Sequence, residues 1–147
     1  MSLTVTSQEL LMGYSRLEYL LLGDLRAILD EPDQTRDQRW LLAVLDSLLE
    51  TIPREFQLRE EGGYMSEILE LKPFLSDLAL SLYAEHERLF SMLSALRERV
   101  NLDLSAVALE DQLAMKLRDW MLLLMKHNRT ERRVYQTALC ADHGGGD

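Results

Sequence analysis

The sequence predicts an all-α protein, folded as an up-down-up-down antiparallel four-helix bundle across a single domain of residues 1–147. Three observations carry that prediction. Apolar residues recur at alternating spacings of three and four along four long stretches, the pattern of helices that each bury one stripe. The chain has only three prolines and seven glycines, and Pro32, Gly62, Gly63 and Pro73 fall between those stretches, where they break helices. Hydrophobic residues make up 47% of the chain, enough at this length for a substantial core.

The first helix is expected over about residues 6–30, because Thr6 and Glu9 form a capping box. Its stripe is Leu10, Tyr14, Leu17, Leu21, Leu25 and Ile28. A turn at Glu31-Pro-Asp-Gln follows, and Thr35 with Gln38 makes a second capping box for a helix over 35–61. Its stripe is Leu42, Leu45, Leu49, Ile52, Phe56 and Glu60. Pro53 should kink it, since proline removes a backbone donor and crowds the preceding turn. Gly62-Gly63 ends this helix, and residues 64–72 form a connector.

Pro73 suits the first position of a third helix, expected over 73–100 along Leu75, Ala79, Leu82, His86, Leu89, Leu93, Leu96 and Val100. His86 is the one polar member of that stripe. After a break at residues 101–105, a fourth helix runs over 105–139 along Ala106, Leu109, Leu113, Leu117, Trp120, Leu124, His127, Glu131, Val134 and Ala138. Residues 140–147 read as a frayed tail that contains His143. Trp40, Met92 and Trp120 read as core or groove filling.

A formal charge of −9 opposes nucleic acid and anionic lipid as general partners. The longest purely apolar runs, residues 19–22 and 120–125, are far too short to span a bilayer. The opening MSLTVTSQE has neither the basic nor the apolar region of a secretory signal, and Cys140 is the single cysteine. A cytoplasmic location without disulfides is expected. Lys126, Arg129, Arg132 and Arg133 form a basic cluster, read as cations placed in the last turns of the fourth helix, at its negative end.

Function must come from the polar members of the buried stripes. His127 and Glu131 lie one helical turn apart and share the core face. Burying such groups without partners costs roughly 2–7 kcal/mol each, so other helices should supply partners. In an antiparallel pair, residues at one height are equidistant from the turn. Each neighbouring pair among Tyr14, Phe56, His86 and His127 has its midpoint in or close to a connection, so these four should occupy one core layer. Glu60 and Glu131, one turn further along their helices, should form the adjoining layer. The halves also repeat: Tyr14 precedes Phe56-x3-Glu60-x3-Tyr64 by 42 residues, as His86 precedes His127-x3-Glu131-x3-Tyr135 by 41.

This ordered set resembles the hemerythrin-like, or HHE cation-binding, domain. The resemblance rests on His86 within AEHER, on His127-Asn-Arg-Thr-Glu131, and on the residue-x3-Glu pair of the second helix; it spans about residues 10–140. The segment REEGGYM from Arg59 is similar to the family's K-E-E-x-x-L-F stretch. The resemblance implies a bundle that holds non-haem iron, with His86, His127, Glu131 and Glu60 at ligand positions. Tyr14 and Phe56 replace the histidines of the first two helices, so one half-site is intact and its partner is largely lost. One iron ion is then expected rather than two, with Tyr14 able to ligate ferric iron or to bond a carboxylate, and Phe56 able to do neither.

On the residues alone, two imidazoles and one or two carboxylates in an apolar core suit iron, zinc or manganese. Two functions follow. One is a metal-binding protein of iron handling, or a sensor of oxygen, nitric oxide or redox state, with a small diatomic as ligand. The other is a metal-free bundle in which His86–Glu131 and Tyr14–Glu60 pairs satisfy the buried groups and the protein acts as a dimerisation or regulatory module. Apolar residues beyond one stripe at 19–22 and 121–125 suggest a homodimer through the outward surface of the first and fourth helices, or a partner helix. No phosphate-binding loop and no serine or cysteine beside a stripe histidine is present, so nucleophilic catalysis has no support.

Overall fold

The computed structural model describes residues 5–31, 36–61, 68, 70, 73–103 and 109–145. Helix α1 spans Val5–Asp30, α2 spans Gln38–Glu61, and α3 spans Ser76–Leu102 behind a 3-10 turn at Pro73–Leu75. Helix α4 spans Asp111–Gly145. Among the described residues there is no strand, and the helices pack as a four-helix bundle.

Cross-helix contacts pair residues late on one helix with residues earlier on its neighbour, and early ones with later ones. Asp46 meets Arg97 and Glu60 meets His86 between α2 and α3; Arg99 meets Glu110 and His86 meets Glu131 on the way from α3 to α4. Between α1 and α4, Asn128 reaches Glu18 while Arg118 reaches Asp30. These are the contacts that antiparallel neighbours make. The α1–α4 seam is the most thinly packed of the four, and it is where a groove opens.

The α3 and α4 stripes match expectation closely. Leu75, Ala79, Leu82, His86, Leu89, Leu93 and Val100 are buried on the third-helix stripe, and every described member of the α4 stripe from Leu109 to Ala138 is buried. Ala106 lies outside the described residues. Trp120 is held in place by its indole N–H, which donates to the Leu89 carbonyl at 2.9 Å. The cost of burying an indole donor is thereby removed, and α3 is tied to α4.

The α1 stripe differs from expectation. Leu10 and Leu17 are exposed, and the buried members are Glu18, Leu21, Leu25, Ile28 and Leu29. Leucine is so abundant on α1 that periodicity allows either face, and the face chosen is the one that carries Glu18 inward. On α2 the shift is smaller, with Leu41, Val44 and Leu48 buried while Leu42 and Leu49 are half-buried. Trp40 is 48% exposed and fills no core.

Helix ends are set by side chains. Asp37 caps α2, its Oδ1 accepting the backbone N–H groups of Arg39 and Trp40 at 3.0 Å each. The capping box placed at Thr35 is thus superseded by a cap two residues later, and Thr35 itself lies outside the described residues. At the other end of the same turn the Leu29 carbonyl of α1 accepts from Arg36 at 3.1 Å and from Arg118 of α4. Two guanidinium groups there satisfy and neutralise the negative end of α1. Thr6 sits inside the first turn of α1 rather than capping it. The second helix continues through Pro53. Gly62, Gly63 and Tyr64 lie outside the described residues. Helix α4 extends to Gly145, six residues beyond the expected end.

Candidate metal centre

Three of the four expected layer members meet. The His86 imidazole lies flat on the Phe56 ring, centroids 3.8 Å apart and planes 9° from parallel. His127 meets His86 edge-on at 4.7 Å and Phe56 at 5.7 Å. One turn along α4, Glu131 places Oε1 3.2 Å from Nε2 of His86 and Oε2 3.3 Å from Nε2 of His127. His86, His127 and Glu131 are buried and each offers a ligand atom, all within 4.8 Å of one another. They are the one such group of three among the described residues.

The far side of each imidazole is anchored. Nδ1 of His86 faces Oε1 of Glu60 at 3.0 Å, and Nδ1 of His127 pairs with Oε1 of Glu85. A carboxylate can only accept, so in a neutral imidazole these contacts put the proton on Nδ1 and leave Nε2 as a bare lone pair. Both bare nitrogens then face the oxygens of Glu131. Acceptor against acceptor at this range is unfavourable unless a proton or a metal ion stands between them. Consistent with that, Nε2 of His86, Nε2 of His127 and Oε1 of Glu131 are buried with no hydrogen-bond partner among the described residues.

The distances suit a metal ion. Two ligands about 2.0–2.2 Å from a common ion and at roughly a right angle stand about 3 Å apart, close to the observed 3.2 and 3.3 Å. The carboxylate–imidazole pairs formed by Glu60 and Glu85 are the usual support that orients ligating histidines and fixes their tautomer. The residues present therefore fit a metal, and the three could hold one.

On its outer side Glu131 is already compensated. Arg59 of α2 donates to Oε2 of Glu131 at 2.6 Å and also bonds Oε1 of Glu55 and, at 3.2 Å, the Asn128 side-chain oxygen. Burial alone would raise the Glu131 carboxyl, but hydrogen bonds donated by His127 and His86 when their Nε2 atoms carry a proton, together with the Arg59 charge, outweigh it and hold the group well below the usual carboxylate range in the metal-free protein. Beyond Arg59 lies a second buried acid pair. Glu55 accepts from the Ser15 hydroxyl at 2.9 Å, and Glu18 accepts from the Asn128 amide at 3.3 Å. Burial first, and the neighbouring Glu55 second, push Glu18 from an ordinary 4.5 up to about 8. At neutral pH Glu18 is therefore largely protonated.

Each expected site residue has a definite place. His86, His127 and Glu131 converge. Glu60 does not join the trio directly; it meets the layer through Nδ1 of His86, with its side chain 32% exposed. Tyr14 is not brought into the layer, because the α1 face that turns inward carries Ser15 and Glu18; its hydroxyl bonds the solvent-exposed Arg54 instead. Phe56 is in the layer as a stacking partner. Glu85, Arg59, Glu55, Glu18 and Asn128 were not singled out from sequence. Glu85 had a signal: it lies 42 residues before His127, the separation that levels neighbouring helices. The Glu55–Arg59 pair also had one, an i,i+4 charge pair beside Phe56.

No helix among the described residues is long and apolar enough to cross a membrane. Compared with known proteins, the chain matches no family model, no curated protein and no solved structure.

Proposed function

We propose that this bundle is a hemerythrin-like protein that binds one non-haem iron ion through His86, His127 and Glu131. The observation that carries the reading is the facing of two Nε2 atoms and a carboxylate oxygen, all buried and all without hydrogen-bond partners among the described residues. Two histidines and one carboxylate with further positions open form the donor set of non-haem ferrous sites. The choice of iron rests on the resemblance of the ordered helix motifs. Iron there would supply a redox-active Lewis acid able to take a small diatomic molecule. The role that follows is iron handling or sensing of oxygen, nitric oxide or redox state.

The chain's own residues fix the rest. Glu60 and Glu85 hold the imidazoles by Nδ1 and keep Nε2 available. Phe56 closes one face of His86 and excludes water from it. Arg59 supplies a fixed positive charge on the outer oxygen of Glu131. A guanidinium charge beside Glu131 opposes a second cation there, so a stoichiometry of one is expected. Anaerobic calorimetric titration with ferrous ion tests this: one equivalent bound by the wild type, with Glu131→Gln reduced at least about tenfold in affinity, supports it, and no heat in either protein sinks it.

A second reading has its own observation. Met12, Tyr19 and Leu20 on α1 and Met115, Leu122 and Leu123 on α4 are exposed, an apolar excess that a lone bundle does not need. In that reading the bundle is a metal-free dimerisation module. Sedimentation equilibrium decides it, a monomer across the micromolar range being the result that removes it.

A further inference from the structure

The basic cluster on α4 loses its simple explanation in the structure. Since α4 extends to Gly145, Arg129 and Arg132 sit several turns before its end, and the helix-dipole effect dies away within the last turn. Neither has an acidic residue three or four positions away on α4, and the adjacent Glu131 is buried and held by Arg59. Among the described residues neither makes an ion pair or a side-chain hydrogen bond. Both line a groove of about 780 Å³ between α1 and α4.

The groove is walled by apolar Leu11, Leu20 and Leu22 of α1 and Met125 of α4, with one acid and one base, Asp24 and Arg26, on its α1 side. Its floor is the buried acid pair Glu18–Glu55 with Arg59 and Glu131. Its volume is in the range of small-molecule sites, which combine apolar walls with a few polar groups. An anion cannot settle on the floor, where Glu55 and Glu131 already outnumber Arg59 in charge. It can settle at the mouth, where two guanidinium groups face solvent and charge-assisted hydrogen bonds to them are available.

We propose that the α1–α4 groove binds a free apolar anion, a single-chain or aryl carboxylate. Its head pairs with Arg129 and Arg132, and its apolar body lies along Leu11, Leu22 and Met125. The net charge of −9 repels the many charges of an anionic membrane surface far more than a single carboxylate, so the source is a dissolved molecule. The inference goes beyond the metal reading and does not depend on it, because none of the groove's anion-binding groups is a proposed metal ligand.

The test uses metal-free protein and three ten-carbon probes that differ only in the head: decanoate, decanol and decylamine. Calorimetry or displacement of a fluorescent apolar sulfonate should give one decanoate site, with decanol and decylamine about tenfold weaker or more, the scale of one hydrogen bond to a charged group. Arg129→Gln with Arg132→Gln should lose about tenfold for decanoate and leave decanol unchanged. Leu22→Asp should weaken decanoate and decanol together, and unchanged circular dichroism of the variants shows that the bundle persists. Equal binding of all three probes, or decanoate binding untouched by the double arginine variant, overturns the proposal. So does co-sedimentation with anionic phospholipid vesicles that the arginine variant abolishes while decanoate fails to bind. Repeating the titration on iron-loaded protein separates the two ideas, since loss of the metal reading leaves the decanoate result standing.

Discussion

His86 is sandwiched between two demands: its ring lies 3.8 Å over Phe56, and its Nδ1 is 3.0 Å from Glu60. The stack sets the plane of the imidazole and the carboxylate sets its rotation, so Nε2 has one direction left, toward Glu131. Phe56→Ala should remove the plane constraint. It should destabilise the protein by about 3–5 kcal/mol in urea denaturation, the usual cost of emptying a buried aromatic site, and weaken metal binding as well. Placing histidine at both 14 and 56 should not bring in a second ion, because residue 14 lies with the exposed Leu10 and Leu17 on the outward side of α1, outside the layer. Metal analysis of that double variant showing two equivalents would refute the placement.

The carboxylates behind the histidines act as supports rather than ligands. Glu60→Gln and Glu85→Gln should each lower metal affinity by about 10–100-fold, typical for a partner of a ligating histidine, while the number of ions bound at saturation stays at one. Competition titration against a chelator reads both quantities. A fall in stoichiometry for Glu60→Gln would instead make Glu60 a ligand.

Arg59 holds two buried carboxylates at once. Replacing it by methionine leaves Glu131 and Glu55 without their cation, and breaking a buried ion pair by removing one partner costs about 3–5 kcal/mol. In metal-free protein the variant should lose that much stability. Loading a divalent ion should restore part of it, since the ion replaces the missing charge beside Glu131. Chemical denaturation of both forms checks the difference.

Stability should peak on the acid side of neutrality, for two opposed reasons. Glu131 titrates lower when folded than its ordinary 4.5, so its contribution is present above that value and is lost as pH falls below it. Glu18 titrates higher when folded, about 8 against 4.5, so its contribution is present below 4.5 and is lost as pH rises through about 8. Glu18→Gln should abolish the alkaline decline. A tenfold change in a proton-binding constant is worth roughly 1.4 kcal/mol. Between about pH 5 and pH 8 the wild type should therefore lose a few kcal/mol more than the variant, measured by urea denaturation at each pH.

How much of this was legible in the sequence depended on the purity of each stripe. Helices α3 and α4 alternate threes and fours with one or two polar members, so their buried faces, and His86, His127 and Glu131 with them, could be read directly. Helix α1 carries leucines on several sides, and nothing in its periodicity favoured the face with Glu18 over the face with Tyr14. That single ambiguity misplaced Tyr14 and hid the Glu18–Glu55 pair. The repeat between the halves is a property of residue spacing, and with Tyr14 turned away the two halves do not build equivalent layers. Glu85 and Arg59 were hidden for another reason: a charged residue next to a stripe reads as a solvated flank, and only the level of its partner on another helix shows that it turns inward.

The most direct test is the metal content of protein purified from iron-supplemented growth, beside that of His127→Ala prepared identically. Close to one equivalent of iron is expected in the wild type, carried by the His86, His127 and Glu131 trio, with its loss in the variant. Less than about a tenth of an equivalent of any transition metal in both, after direct reconstitution with ferrous ion has also been tried, would contradict a metal-binding role.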